Sequence, residues 1–231
     1  MPPRTAAAGG GSTSHPLVPL VKKVGSSTTT LNAKLAGDNL ARAVLKHGLA
    51  AFSDQKVVKS LSDYASGSKP SERMSSTTAF QSLIAVLGPS VLPFLLPIAP
   101  VLLNLFADDD EVIKTNATKA FQGIVSLAPV EAIQQIIEIL AEELKTTPKW
   151  KCKVGCLKEI SRLVDLKGQE GKEEIASMLA LLLPIVEHSM HDTKKEVSPA
   201  SLPTLSFGPD RAKSGLERSC QYCKRALLNP S

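Results

Sequence analysis

Aromatic side chains are scarce in this sequence, where Phe, Tyr and Trp make up 4% of the 231 residues. Strands favour aromatic and β-branched side chains, whereas helices pack well through Ala, Leu and Ile, which are plentiful here. The composition therefore argues against a β-sandwich and predicts helices that pack through aliphatic ridges.

Acidic residues are absent before Asp38, and that stretch is rich in Ala, Gly, Ser, Thr and Pro. Such a composition buries too little apolar surface to fold, so we expect residues 1–37 to be a disordered tail. An acid-free, Ser-rich start is also found in organelle transit peptides, but those are rich in arginine and this stretch holds only Arg4. The start has no apolar core of secretory-signal length, so we expect a cytoplasmic protein.

Cysteine is also rare, and the four residues fall into two pairs, Cys152/Cys156 and Cys220/Cys223. A tetrahedral zinc site needs four ligands, and only His188 and His191 offer a further local pair. We favour free thiols in a reducing compartment over a zinc or redox site, and we expect no bound metal or cofactor.

Charge is missing from residues 79–106, which raises the question of a membrane span. Gly88, Pro89, Pro93, Pro97 and Pro100 interrupt that run. Each half also matches an amphipathic helix elsewhere in the chain, so we interpret the run as two soluble helices.

The sequence repeats itself with a period in the low forties. Ala79-Phe80-Gln81 returns as Ala120-Phe121-Gln122, and Leu95-Leu96-Pro97-Ile98 returns as Leu182-Leu183-Pro184-Ile185 about two periods later. A period of this length built from two helices is typical of HEAT repeats. The predicted fold class is therefore an all-α HEAT/armadillo-like solenoid.

Helical periodicity and turn residues define the expected elements. Asp38 is the predicted N-cap of the first helix. Later helices are predicted over residues 54–65, 71–87, 90–106, 111–127, 130–145, 149–166 and 171–190. The solenoid should span residues 38–197 with about three and a half repeats.

Pro199 and Pro203 interrupt the next expected helix, which predicts an irregular tail over residues 198–231, produced by truncation or alternative splicing.

Several segments occur in a characteristic order: Pro148-Lys149-Trp150, Ile160-Ser161, Val164-Asp165, Pro184-Ile185 and His191 to Val197. In this order and spacing they resemble the HEAT-repeat region of fungal-type translation elongation factor three. The resemblance covers about residues 38–197 and is strongest over residues 110–197.

The resemblance implies a function as well as a fold. In that family the HEAT region precedes two ATP-binding cassettes, and the factor binds the ribosome and uses ATP to help clear deacylated tRNA. This sequence contains no Gly-x-x-x-x-Gly-Lys-Ser/Thr phosphate loop, so the ATPase activity is not carried over. We expect a non-enzymatic module that acts in translation elongation by binding ribosomal RNA and ribosomal proteins.

Basic residues mark a candidate contact surface. Lys149, Lys151 and Lys153 flank Trp150, and Lys194 and Lys195 occupy the equivalent turn one repeat later. Equivalent turns of a solenoid fall on the same edge, where lysines neutralise RNA phosphates and a tryptophan stacks on bases. Asp108–Asp110 occupy the preceding turn, so a basic ridge should end there.

An alternative from another class is a protein-binding scaffold of the tubulin-binding or kinase-regulating type. The two interpretations differ in salt dependence. RNA contacts weaken steeply as salt rises, whereas a protein groove shows only the ordinary dependence.

Deleting residues 199–231 should leave the melting temperature nearly unchanged, because the two prolines break the expected helix and no apolar face follows them. Thermal unfolding followed by circular dichroism tests this. A cooperative loss of helicity on deletion would instead show that the tail caps the solenoid.

Overall fold

The computed structural model describes residues 16–53, 55–167, 172–190 and 197. Every regular element within these residues is helical. The helices are α1 Val18–Gly25, α2 Thr30–His47, α3 Leu49–Phe52, α4 Gln55–Ala65, α5 Pro70–Leu87, α6 Leu92–Leu95, α7 Ala99–Asn104, α8 Glu111–Leu127, α9 Ile133–Thr146, α10 Trp150–Lys167 and α11 Lys172–Met190. Short 3-10 helices precede α6, α7 and α9, and another follows α7 at Leu105–Ala107.

The helices form two layers. The long helices α2, α5, α8 and α10 begin at residues 30, 70, 111 and 150, about 40 residues apart. They stack in sequence order as one layer, while α4, α7, α9 and α11 contact one another in order as the second. The predicted all-α HEAT solenoid is confirmed.

The repeated Ala-Phe-Gln motif has a physical explanation. Phe80 and Phe121 are buried between the layers, each 1% exposed. The next residue in each motif points sideways to the following long helix. The Gln81 side chain donates to the Asn116 carbonyl of α8 at 2.8 Å, and the Gln122 side chain donates to Glu159 of α10 at 2.8 Å. One motif therefore supplies both the core and the link to the next repeat.

Small residues let α2 and α5 approach closely. A Cβ added at Gly37 would lie 2.9 Å from the Ala79 Cα, closer than real Cβ atoms come. Polar residues on several sides of α5 are buried between its neighbours, namely Ser75, Ser76, Thr77, Thr78 and Ser82. The first four hydroxyls donate to carbonyls three or four residues back in the same helix, which removes the cost of burying them.

The prediction of disorder up to residue 37 is wrong for residues 16–37. α1 and the first half of α2 lie in this range. Thr29, not Asp38, is the N-cap of α2, and its hydroxyl accepts from the Asn32 amide at 3.3 Å. Asp38 lies within α2 and accepts from the Ser82 hydroxyl of α5 at 2.6 Å. The helix was missed because Ala33, Ala36 and Ala41 bury a face whose small side chains give little hydropathy signal.

The single helix predicted over residues 90–106 is also corrected. Gly88 adopts φ +60° and ends α5. Pro93, Pro97 and Pro100 each start a new short helical piece, because proline is tolerated in a first turn but removes an amide donor from a helix interior.

By length and composition alone, the helical run Pro70–Ala107 could cross a membrane, because it contains an 18-residue window with a mean hydropathy of 2.0. In the structure it contributes core to both layers, and Phe80, Leu95 and Leu102 are almost fully buried against other helices. A buried core helix satisfies the same length and hydropathy criteria.

The later predicted helices agree with the structure. The prediction for α8 matches at both ends, and those for α5, α10 and α11 differ by one residue. The helical spacing of large apolar residues predicts a core of thirteen side chains, and all of them are buried: Phe80, Leu83, Ile84, Phe121, Ile124, Val125, Ile136, Leu140, Leu157, Ile160, Leu163, Leu182 and Ile185. The predicted tail 198–231 lies outside the described residues.

Replacing Phe121 with Ala should lower the free energy of unfolding by about 3–5 kcal/mol, since the missing ring leaves a cavity in close packing. The ring of Phe121 also contacts Phe106 edge-to-face, with centroids 5.9 Å apart. Urea unfolding measures the change. The control is Val112→Ala on the same helix, where the side chain is 45% exposed and the change should be about 0.5 kcal/mol. A decrease below about 1 kcal/mol for Phe121→Ala would contradict the packing of this ring between the layers.

Candidate nucleic-acid interface

Three turns that lead into long helices lie together on one side of the solenoid. They are residues 66–69 before α5, 108–110 before α8 and 147–149 before α10. Ser66, Asp109 and Lys149 line one hollow of about 430 Å³ at this place. Residues from three successive repeats are therefore neighbours, as the argument from stacked turns expects. We name the surface formed by these three turns the turn edge.

The structure places the described contact candidates around the start of α10. Lys149 and Lys151 are exposed, while Trp150 and Lys153 are half-buried. Lys194 and Lys195 lie outside the described residues. The Thr147 hydroxyl accepts from the Lys149 amide at 3.3 Å, which shapes the turn before the helix begins.

These candidates divide between two surfaces. Lys149 lines the hollow of the turn edge. Trp150 and Lys151 line a neighbouring groove between α8 and α10, and Trp150 also packs against the hydrophobic core. The indole is therefore less free to stack on a base than its place in the sequence indicates.

The three aspartates of the preceding turn have different roles. Asp110 caps α8 by accepting from the Val112 amide at 2.8 Å. Asp108 is almost buried and pairs with Arg73. Asp109 projects fully into solvent, and its carboxylate lies 3.8 Å from Lys151 Nζ. An exposed pair of this length contributes little, so Lys151 stays available to a partner. Asp109 and Asp110 are both exposed, so the 108–110 turn keeps negative charge beside Lys149 and Lys151.

Arg73 is the residue of this site that sequence reasoning missed. Its Nε donates to Asp108 at 2.8 Å, and its Nη1 donates to the Gly67 and Ser68 carbonyls at 3.1 and 2.8 Å. The side chain thus joins the 66–69 turn to the 108–110 turn. Arg73 and Asp108 lie 35 residues apart, so no local pattern could indicate the pairing.

The cysteines of α10 lie behind the turn edge as buried free thiols, as expected. The Cys152 thiol donates to the Leu103 carbonyl at 3.2 Å. Its hydrogen bond to Cys156, together with burial, raises the pKa of the Cys156 thiol well above its usual range, which disfavours a reactive thiolate. Burial likewise raises the pKa of Glu143, against the opposing effects of Cys152 and Lys149. These groups are structural.

No cluster of three potential metal ligands occurs among the described residues. His47 and His188 are exposed on helix surfaces. Cys220, Cys223 and His191 lie outside the described residues, so the alternative zinc or redox site at the CxxC stays an untested prediction.

The model of the EF3 N-terminal HEAT repeat family matches residues 33–205. Elongation factor 3B of Saccharomyces cerevisiae is 32% identical over 146 residues, which are 63% of this chain and 14% of that protein. Elongation factor 3 of Candida glabrata is 35% identical over 122 residues, or 53% and 11% of the two chains. The mRNA export factor elf1 of Schizosaccharomyces pombe is 32% identical over 133 residues, or 56% and 12%. This chain thus spans only about one seventh of the relatives it matches.

Solved structures agree on the fold. The crystal structure of the MAST/Orbit N-terminal domain superposes with a TM-score of 0.63 at 16% identity, covering 90% of this chain and 92% of that one. A structure concerned with TOG–tubulin binding specificity gives a TM-score of 0.57 at 11% identity, covering 91% and 81%. At these identities the likeness concerns the helical architecture alone.

Replacing Arg73 with Met should cost about 3–5 kcal/mol of stability, because Asp108 would be left almost buried without its cation. A double-mutant cycle with Asp108→Asn should give a coupling energy of about 0.5–3 kcal/mol in urea unfolding. Lys69→Met is the control, since it breaks the exposed Lys69–Glu72 pair and should cost less than about 1 kcal/mol. Additive effects in the cycle would show that Arg73 does not join the two turns.

Proposed function

We propose that this chain is a ribosome-binding module that acts in translation elongation, and the premise is its family: the chain belongs to the EF3 N-terminal HEAT repeat family. The family match over residues 33–205 is the observation that carries the proposal. The resemblance in the sequence had already identified the same family. Its named relatives include several elongation factors.

The module contributes binding rather than chemistry. The sequence has no phosphate-binding loop, and it matches only about one seventh of the elongation factors' length. A stack of paired helices offers an extended surface for a large partner rather than an enclosed catalytic pocket. We assign ATP hydrolysis to none of its residues, and we place its action in the cytoplasm.

The basic start of α10, which adjoins the turn edge, is the proposed contact with ribosomal RNA, and the acidic 108–110 turn marks where this contact ends. Lys149 and Lys151 are exposed there, and Lys153 lies one helical turn from Lys149. Lys194 and Lys195 lie outside the described residues, and the sequence predicts that they occupy the next equivalent turn. Lysines at one edge bind phosphates with little sequence preference, which suits a surface that meets folded RNA by its backbone.

The relatives do not all have the same role. The elf1 relative is named an mRNA export factor, which argues for an RNA-linked partner without specifying translation. The alternative of a tubulin-binding or kinase-regulating scaffold has only the fold in its favour. The salt dependence of binding distinguishes RNA contact from such a scaffold.

Charge reversal tests the proposal. Replacing Lys149, Lys151 and Lys153 with Glu should weaken co-sedimentation of the protein with purified ribosomes at least about tenfold at physiological salt. The slope of log binding constant against log salt should fall by about one for each phosphate that the protein no longer neutralises. Circular dichroism should show unchanged helicity, since surface substitutions usually alter stability by about 0.5 kcal/mol each.

The matched control changes the same net charge elsewhere. Lys34, Lys46 and Lys59 are exposed on α2 and α4, away from the start of α10. Their replacement with Glu should leave co-sedimentation within about twofold of the original protein. Equal weakening in both variants would indicate bulk charge alone. Unchanged binding by a folded Lys149/Lys151/Lys153 variant would favour the protein scaffold.

A further inference from the structure

A groove opens between α8 and α10, where the stacking of the long helices changes. α10 contacts the Leu105–Ala107 turn more extensively than it contacts α8. The ring of Phe106 fills the space that a side chain at Gly155 would need. This aromatic wedge replaces direct helix contact and leaves a groove of about 610 Å³. From Glu111 to Gln122 it follows α8 for about three turns, or roughly 17 Å.

The groove has an apolar floor. Trp150 and Val154 contribute apolar surface, and beneath them lies the ring of Phe106, which the lack of a side chain at Gly155 allows to approach. Thr115 and Thr118 line the α8 wall. A cleft of this length, with an apolar base and polar walls, suits a short peptide segment that inserts one or two apolar side chains.

Positive charge dominates the rim. Lys119 on α8 and Lys158 on α10 both line the groove, and neither has an acidic partner within 4.0 Å among the described residues. The other rim cations have partners: Lys114 pairs with Glu111, and Arg162 lies 3.8 Å from Glu159. Two unpaired lysines on opposite walls attract acidic groups that bridge them.

The α10 wall also holds unused hydrogen-bonding capacity. The Glu159 side chain is 4% exposed, and its Oε1 accepts from Gln122 while its Oε2 has no hydrogen-bond partner. Arg162 Nη1 likewise has none, although its side chain is 34% exposed and able to move. A peptide backbone supplies both a donor and an acceptor, whereas a phosphate supplies only acceptors and would face the Glu159 carboxylate.

We propose that the α8–α10 groove binds an acidic peptide segment of another protein, with an apolar side chain on the Phe106 floor and carboxylates on Lys119 and Lys158. The groove adjoins the proposed RNA contact at the start of α10, where Trp150 and Lys151 line it, but Lys119 and Lys158 lie outside that contact. Because the chain has a single tryptophan, Trp150 emission reports directly on occupation of the groove.

The test uses the full chain and fluorescein-labelled peptides of about 12 residues, a length chosen to exceed the groove. One peptide repeats Glu-Glu-Leu, a second repeats Glu-Glu-Ser and a third repeats Lys-Lys-Leu. A labelled single-stranded oligouridine of similar length is the nucleic-acid probe. Anisotropy measures affinity, and unlabelled peptide is titrated while Trp150 emission is recorded.

The Glu-Glu-Leu peptide should bind, shift the Trp150 emission, and exceed the affinity of the other two peptides by about tenfold or more. Lys119→Glu with Lys158→Glu should lower that affinity at least about tenfold. The control pair Lys34→Glu with Lys46→Glu carries the same charge change on α2 and should stay within about twofold.

Several results would overturn the proposal. They are no Glu-Glu-Leu binding, equal binding of Glu-Glu-Ser, or unchanged affinity in a folded Lys119/Lys158 variant. Tighter binding of oligouridine, abolished in that same variant, would make the groove an RNA site instead. The ribosome experiment leaves Lys119 and Lys158 unchanged. Its outcome is therefore independent of the outcome of the peptide experiment.

Discussion

Close contact between successive long helices is the constraint on which the rest of this structure depends. Gly37 and Ala79 allow α2 and α5 to meet at backbone distance, and the buried hydroxyls of α5 bond within their own helix. The stack then buries Phe80 and Phe121 between the two layers. Because each repeat contacts only its neighbours, these interfaces also determine which turns share an edge.

The two proposed surfaces arise from two different ways of joining repeats. Where Arg73 connects the 66–69 turn to Asp108, successive turns are held together and the turn edge is continuous. Where the ring of Phe106 packs against Gly155, α8 and α10 are held apart and the groove lies between them. The same solenoid therefore offers two candidate surfaces, the proposed RNA contact at the start of α10 and the proposed peptide groove between α8 and α10. Neither surface requires catalytic chemistry.

Sequence reasoning succeeded where large apolar residues recur and failed where small or polar residues do the packing. α8 was predicted at both ends because Asp110 and the run to Leu127 give strong signals. The start of α2 was missed because Ala33, Ala36 and Gly37 bury a face without raising hydropathy. α1 packs through Val21 and Val24, but it is only eight residues long and gives a weak periodic signal. The prolines at 93, 97 and 100 were noticed, but their division of one helix into short pieces was not predicted.

The sequence by itself determined the helical repeat, the buried core and the family, because periodic apolar positions and short motifs are local and regular. It also placed Lys149 and Lys151 at the start of a helix. Only the tertiary structure decided that Lys151 faces Asp109, that Arg73 joins two turns and that α8 and α10 separate around Phe106. Those features depend on the relative placement of helices about 40 residues apart, which is set by side-chain packing in three dimensions rather than by any local pattern.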